Sequence, residues 1–141
     1  MKIIVIGCGR MGAGLAQSLS SGGHAVTVID LNPSAFEVLP PSFKGKTIVG
    51  FGFDRDVLKE AGIERVDGLA ALTSSDETNA VAARLAGQVF KVPKVVARLY
   101  DRRKAELYKR LGIQTIDPTY WGINRVVDLL CYSPLDTVYS L

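Results

Sequence analysis

The sequence has little of what marks a secreted or membrane-spanning protein. Cysteine occurs twice in 141 residues, and Cys8 and Cys131 lie too far apart in the chain to show a metal-ligand spacing. We therefore expect two free thiols in a reducing compartment, and no metal site. No apolar run approaches the ~18 residues that cross a bilayer, and the amino terminus lacks the pattern of a signal peptide. These absences predict a cytoplasmic protein without direct membrane insertion.

Charge of one sign and catalytic side chains are also scarce. The 17 basic and 14 acidic residues give a net charge of +3, which is too small to indicate a nucleic-acid partner. The single histidine, His24, follows two glycines in a predicted surface turn. The metalloprotease, hydrolase and P-loop motifs are absent. We expect no catalytic residue and no enzyme activity from this chain. The apolar content of 48% predicts one globular domain with a substantial core.

The strongest pattern that is present lies in the first thirty residues. A β-branched strand, Lys2 to Ile6, runs into the G-x-G-x-x-G turn Gly7-Cys8-Gly9-Arg10-Met11-Gly12. A predicted helix over 13–19 and a second strand over 25–29 follow, and that strand ends on Asp30. An acid about 20 residues after the glycine turn completes the dinucleotide-binding fingerprint.

Each part of this fingerprint has a physical reason. Gly7 permits a sharp exit from the strand, Gly9 lets a pyrophosphate approach the backbone, and Gly12 lets the helix pack closely. The amino end of the helix offers unpaired N–H groups and a positive dipole to phosphates. The Asp30 carboxylate can accept hydrogen bonds from ribose hydroxyls, and its charge disfavours the 2′-phosphate of NADP. The pattern therefore predicts nucleotide binding.

The rest of the chain alternates predicted strands with predicted helices. This alternation predicts an α/β fold, a Rossmann-type doubly wound parallel sheet of about six strands in the order 3-2-1-4-5-6. Further strands are predicted over 46–49, 66–73, 94–98 and 113–116, with a short helix over 55–61 and longer helices over 79–90, 101–111 and 118–130. Ligands bind such sheets where the strand order reverses, at the carboxyl ends of the strands. The predicted cofactor-binding residues are Gly7, Cys8, Gly9, Arg10, Met11, Gly12, Asp30, Leu31, Asn32, Gly52, Phe53, Asp54, Leu72, Thr73, Ser74 and Arg98.

Two arginines in this set have open roles. Arg10 begins the first helix, where its guanidinium can cover a phosphate, reach across a subunit boundary or simply face solvent. Arg98 ends a strand beside the predicted crevice, where it either binds ligand, lies in an interface or marks the surface.

The motifs together resemble one family in order and spacing. The segment Asp76-Glu77-Thr78-Asn79, which follows Ala71-Leu72-Thr73, is the most specific part, because generic dehydrogenases lack it. With the glycine turn and Val96-Ala97-Arg98, it is similar to the nucleotide-binding RCK/KTN (TrkA-N) domain of Trk/Ktr-type potassium-uptake regulatory proteins. The resemblance runs from residue 1 to about residue 130.

This resemblance implies a regulatory role rather than catalysis. Such domains form homodimers or rings at the cytoplasmic face of a potassium channel or transporter subunit, and bound NAD(H) or ATP/ADP/AMP gates the pore. By the same resemblance, the residues of 7–12 would hold phosphates and Asp30 the ribose. Thr73 and Ser74 would line the crevice, the residues of 51–54 would lie near adenine, and Arg98 near phosphates or the dimer seam.

The sequence also departs from the family and leaves alternatives open. Gly50-Phe51 stands where the family usually has Gly-Asp, so the choice between NAD and adenine nucleotides stays open. The family's second domain has no counterpart before Leu141, so we expect a domain over 1–130 and a tail over 131–141. That tail would be a linker or a dimer-packing segment. The alternatives are the cofactor half of an NAD-dependent oxidoreductase and a dimerisation module that has lost its ligand.

Overall fold

The computed structural model describes residues 1–132 and shows a parallel sheet with helices packed on both faces. Within these residues the strands pair in the order β3-β2-β1-β4-β5-β6, and every pair is parallel. This order confirms the predicted doubly wound, Rossmann-type sheet. In chain order the strands are β1 (Lys2–Ile6), β2 (Ala25–Asp30), β3 (Lys46–Val49), β4 (Gly68–Ala71), β5 (Lys94–Arg98) and β6 (Gln114–Ile116).

Helices connect the strands in the predicted places but with some different bounds. The α-helices are α1 (Arg10–Ser21), α2 (Arg55–Glu60), α3 (Asp76–Arg84), α4 (Arg102–Arg110) and α5 (Pro118–Cys131). Short 3₁₀ helices occupy Pro33–Val38 and Ile63–Arg65, and α3 continues as a π-helical turn over Leu85–Val89. Among the described residues, no helix is long and apolar enough to cross a membrane.

Three predicted elements have wrong bounds. Helix α1 spans Arg10–Ser21 rather than 13–19, because it begins within the glycine turn itself. Helix α3 begins at Asp76 rather than at 79, because the Ser75 hydroxyl caps it by accepting a hydrogen bond from the Thr78 N–H. Strand β4 is limited to Gly68–Ala71 rather than 66–73. The chain therefore leaves β4 earlier than predicted, and Thr73 lies in the loop that follows the strand.

Alternate residues of the strands enter two separate core layers. In β1, Ile4 and Ile6 pack into one layer, and Val5, which points to the opposite face, packs into the other. All three are almost fully buried, and each such side chain contributes about 1.5–3 kcal/mol when removed from water. The sheet is thus buried on both faces, as parallel sheets require.

Helix α5, like α4, has no buried residue, but it carries many more large apolar side chains on its surface. It exposes a group of large apolar side chains: Tyr120, Trp121, Ile123, Val126, Val127, Leu129 and Leu130. The two cysteines are free, with Cys8 buried and Cys131 exposed at the end of this helix. The predicted dimer-packing segment of the tail, 135–141, lies outside the described residues.

Candidate functional site

A cavity of about 430 Å³ opens at the carboxyl ends of the strands, where the strand order reverses between β1 and β4. Its size falls in the usual range of small-molecule sites, about 300–1,000 Å³. Eleven of the sixteen predicted cofactor-binding residues line it: Gly7, Gly9, Met11, Asp30, Leu31, Gly52, Phe53, Leu72, Thr73, Ser74 and Arg98. The structure therefore brings most of the predicted residues together around one space.

The three glycines of the first turn differ in what requires them. Gly7 has a φ of 97°, a conformation that disfavours any side chain. A Cβ on Gly12 would stand 1.7 Å from the Gly7 carbonyl oxygen, so this glycine allows α1 to lie against the turn. A Cβ on Gly9 would meet no atom within 4 Å. The chain itself leaves the space beside Gly9 open, which is what a group bound against the backbone needs.

The Asp30 carboxylate joins the glycine turn to the end of β2. Oδ2 accepts a hydrogen bond of 2.8 Å from the Cys8 backbone N–H, and Oδ1 accepts one of 2.9 Å from the Asn32 N–H. Each oxygen keeps a further lone pair for a ligand. Burial raises the pKa of the Cys8 thiol, and the neighbouring Asp30 charge raises it further. Cys8 is therefore a protonated packing residue rather than a nucleophile.

The opposite wall of the cavity is held by Asn79, which is fully buried. Its Nδ2 donates to the carbonyl oxygens of Thr73 and Arg98, both at 2.9 Å. Its Oδ1 accepts from the Thr73 N–H at 2.9 Å and from the Thr73 hydroxyl at 2.7 Å. One side chain thus ties the loop after β4 to the end of β5. Asn79 was absent from the predicted site residues, although it belongs to the most specific segment of the sequence.

Asp76 supports the same wall from one helical turn earlier. Its carboxylate accepts hydrogen bonds from the backbone N–H groups of Tyr100 and Asp101, at 3.0 Å and 2.9 Å. A spacing of three residues places Asp76 and Asn79 on the same face of α3. The sequence signal that could have revealed this pair is that spacing of polar side chains within an otherwise alanine-rich helix.

An aromatic pair forms the outer rim of the cavity. The rings of Phe51 and Phe53 have centroids 5.3 Å apart and remain 50% and 40% exposed. Between them, a Cβ on Gly52 would come within 2.2 Å of the Ile6 side chain, so only glycine lets this loop cross β1. The result is an apolar surface suited to the face of a flat ring.

Arg98 contributes an unsatisfied donor to the cavity lining. Its guanidinium carbon lies 4.8 Å from the centre of the Tyr100 ring. Its Nε is buried and has no hydrogen-bond partner within residues 1–132. A buried N–H without a partner is costly, so an anionic or carbonyl group in the cavity would stabilise this position.

Five predicted residues do not line the cavity. Cys8 and Gly12 are buried behind the turn, and Arg10 is exposed in the first turn of α1. Asn32 and Asp54 cap the helices that follow β2 and β3. Ile6, Ile29 and Thr78 line the cavity without having been predicted. A ligand contact by any of the sixteen residues stays a prediction. No group of three or more potential metal ligands occurs in the described part of the chain.

Comparison with known proteins identifies the family. A family model described as the TrkA-N domain matches residues 3–117. The chain belongs to the TrkA-N domain family. A curated relative, the "Trk system potassium uptake protein TrkA" of Streptomyces coelicolor, is 45% identical over 139 residues. The match covers 99% of this TrkA-N chain but 62% of that relative, so the chain spans less than two thirds of its length.

Solved structures of similar fold agree with this assignment. The carboxyl-terminal domain of Shewanella denitrificans Kef, in an AMP-bound form, has a TM-score of 0.79 and 25% identity, covering 99% of this chain and 88% of that one. The TrkA-N domain of the inner membrane protein ybaL from Escherichia coli has a TM-score of 0.81 at 15% identity, with 92% and 96% covered. The second likeness shows the shared fold.

Proposed function

We propose that this TrkA-N chain is a nucleotide-binding regulatory domain of a potassium transport system, and that it is not an enzyme. The observation that carries the proposal is the cavity at the carboxyl edge, which is lined by Gly9 with the open space beside it, by Asp30 and by Arg98. The family membership and the potassium-uptake name of the Streptomyces relative supply the transport context.

The residues of the cavity fit the three parts of a nucleotide. The first backbone N–H groups of α1 and the Arg98 guanidinium would hold phosphate oxygens. The remaining lone pairs of Asp30 would accept hydrogen bonds from the ribose. The apolar faces of Phe51 and Phe53 would contact the base. These assignments use the chemistry of each group and the lining of the cavity.

An adenine mononucleotide is the proposed ligand, in preference to NAD(H). AMP occupies the similar Kef domain. Asp30 accommodates the ribose of either ligand. Preference for NAD(H) in a binding experiment would therefore revise the ligand but not the site.

We also propose that the chain acts as a homodimer or a larger ring beneath a membrane transport subunit. Helix α5 presents Trp121 and Leu130 at 68% and 80% exposure, in a helix that buries none of its own residues. Such a surface is suited to a second copy of the chain. A nucleotide would then regulate transport only through different affinities for two arrangements of the subunits.

The oxidoreductase alternative lacks support in the cavity. Of the groups that line it, Asp30 and Arg98 are the ionisable ones: both Asp30 oxygens already accept hydrogen bonds from backbone N–H groups, and an arginine stays protonated and cannot act as a base. Tyr100 and Lys104 have the Tyr-x-x-x-Lys spacing of short-chain reductases. However, Asp101 caps α4 between them, so they do not share a helix face, and neither lines the cavity.

The test is calorimetric titration of the chain with AMP, ADP, ATP, NAD and NADH. Gly9→Val should reduce affinity for the bound nucleotide at least tenfold, a loss of about 1.4 kcal/mol, because its side chain fills the open space. Gly14→Ala is the matched control, since a Cβ there also meets no atom within 4 Å but lies on the exposed side of α1. Arg10→Ala tests whether that side chain reads the phosphates.

Several outcomes would contradict the proposal. Absence of binding by all five nucleotides would favour a dimerisation module without a ligand. Equal affinity of the parent chain and the Gly9→Val variant for the nucleotide would show that the nucleotide does not bind beside Gly9. If the chain catalysed the reduction of NAD by a 2- or 3-hydroxy acid, the oxidoreductase function would be supported instead. Sedimentation with and without nucleotide tests the subunit rearrangement, which requires a ligand-dependent change in shape or assembly.

A further inference from the structure

Another cavity lies at the opposite edge of the sheet, at the amino ends of β1, β2 and β3. Its volume is about 600 Å³, larger than the nucleotide cavity. Four segments that are distant in sequence build it: the start of β1, the end of α1 with the turn into β2, the start of β3, and the residues from the end of α2 towards β4. Neither the sequence pattern nor the proposed function gives this space a role.

The charged side chains around this cavity are mostly basic. Lys2, Lys44, Lys46 and Arg65 contribute cations, and Glu60 is the one carboxylate among the described residues that line it. The whole chain has a net charge of only +3, so this excess is local. Cations gathered around one concave space raise the local positive potential and attract anions more strongly than the same charges spread over a flat surface.

Backbone contacts hold the lysines in place. In the register of β2 and β3, Lys46 is paired with Thr27, and the Lys44 N–H donates to the Ser20 hydroxyl at 3.3 Å. A Cβ on Gly45 would lie 2.4 Å from the Val26 carbonyl oxygen, so glycine is needed for this close approach. The two lysines therefore flank a glycine that pins the start of β3 against β2.

The remaining lining is apolar enough to contact hydrocarbon. Ile3, Val26, Ile48 and Val66 are buried or half-buried and contribute to the wall. A ligand that matched both features would have negatively charged groups for the basic rim and an apolar body for this wall. The volume corresponds to a small molecule rather than to a folded partner.

We propose that this cavity binds a small organic polyanion, a molecule with several carboxylate or phosphate groups on an apolar body. The site lies at the Lys2 end of β1, whereas the nucleotide cavity lies at its Ile6 end. The two sites are therefore separate, and this one does not depend on the proposed nucleotide function. It gives the chain a second ligand class.

The experiment is a titration of the ¹⁵N-labelled chain followed by NMR, with benzene-1,3,5-tricarboxylate and citrate as probes at constant ionic strength. These two tricarboxylates differ in their apolar body. We expect saturable shifts in the amides of 20–27, 44–48 and 60–66, with the aromatic probe binding at least threefold more tightly. Sodium chloride added to the same ionic strength should produce no saturable shift.

Paired variants locate the effect. Lys46→Gln with Arg65→Gln should weaken binding of the aromatic probe at least tenfold, because half of the basic side chains are removed from the cavity. Arg103→Gln with Lys109→Gln removes an equal charge from exposed positions on α4 and should leave the affinity within twofold. All four positions are exposed, so both double variants should keep the thermal midpoint of the parent.

The proposal is overturned by a linear, unsaturated response, or by equal weakening in the two double variants. Saturable shifts confined to residues 7–12 and 72–75 would also overturn it, because the probes would then occupy the nucleotide cavity. Equal affinity for citrate and the aromatic probe would contradict the role of the apolar wall. If nucleotides fail to bind, the amides of 7–12 and 72–75 will not shift when nucleotide is added, and the shifts that the tricarboxylates cause at the amino edge will be unaffected. The two proposals can therefore fail independently.

Discussion

The two edges of the sheet form their cavities in different ways. At the carboxyl edge, half-buried hydrogen bonds and close-packed glycines shape the space, and Asp30 and Arg98 are its ionisable lining groups. At the amino edge, four exposed basic side chains surround a larger space. Helix amino ends point toward the carboxyl edge, so the backbone supplies positive potential there. At the amino edge, helix carboxyl ends supply the opposite sign, and side chains must provide any attraction for anions.

The largest change in stability should follow from adding a side chain in the glycine turn, at Gly12. Gly12→Val places its Cβ against the Gly7 carbonyl oxygen, and the backbone of α1 must move away from β1. We expect a loss of about 3 kcal/mol or more in the free energy of unfolding, as severe overpacking produces. Thermal unfolding followed by circular dichroism measures it.

The matched control for this change is Gly14→Ala, which has open space for the added atom. Because alanine favours the helix, this variant should be unchanged or more stable by up to about 1 kcal/mol. Equal midpoints for the two variants would show that the glycine turn does not require close packing at position 12.

A smaller loss should follow removal of the Asn79 amide. Asn79→Leu leaves the Thr73 N–H and the carbonyl oxygens of Thr73 and Arg98 without this partner. Buried polar groups without partners cost about 1–3 kcal/mol. We expect destabilisation of about that size, together with faster hydrogen exchange in 73–75 and 98–101.

The comparison for Asn79 is Asn124→Leu, at an exposed position on α5. Its stability should remain within about 0.5 kcal/mol of the parent chain. Unchanged exchange in the Asn79 variant, with the expected loss of stability, would mean that Asn79 fills space but does not hold the cavity wall.

The smallest effect should be the pH dependence contributed by Cys8. Because its pKa is raised in the folded chain, the folded thiol keeps a proton that the unfolded thiol has lost at alkaline pH. The free energy of unfolding should therefore fall as pH rises above the unfolded value of about 8.5. Cys8→Ala should flatten this decline.

Alkylation gives a second readout for the same residue. Iodoacetamide should modify the exposed Cys131 well before the buried Cys8 at neutral pH. Equal rates would contradict the protonated, inaccessible state of Cys8. At the amino edge the lining has no cysteine, so neither measurement should respond to changes there.

The sequence predicted most of the fold and much of the carboxyl-edge cavity, because both depend on local signals. The spacing of Gly7, Gly9, Gly12 and Asp30 fixes one strand–turn–helix–strand unit, and the alternation of the remaining elements fixes the strand order. These are properties of short segments and of their order.

The parts that could not be predicted depend on contacts between distant segments. Asn79 reaches the Arg98 carbonyl across nineteen positions, and Lys2, Lys46 and Arg65 line one cavity only because the sheet brings β1, β3 and the residues after α2 together. The π-helical turn at Leu85–Val89 likewise follows an alanine-rich stretch that gives no warning of a wider turn. The periodicity of apolar residues in the sequence carries no information on such contacts.

The Asn79 amide also makes the nucleotide cavity mechanically asymmetric. The wall after β4 and β5 is cross-linked by hydrogen bonds of the buried Asn79 and of Asp76, whereas the loops after β2 and β3 end in short helices capped by Asn32 and Asp54. A bound ligand would therefore contact a wall after β4 and β5 that is held by cross-linking hydrogen bonds, and a wall after β2 and β3 that is less constrained. We therefore expect any ligand-driven displacement to be concentrated in the loop that carries the aromatic pair, and to travel outward from there.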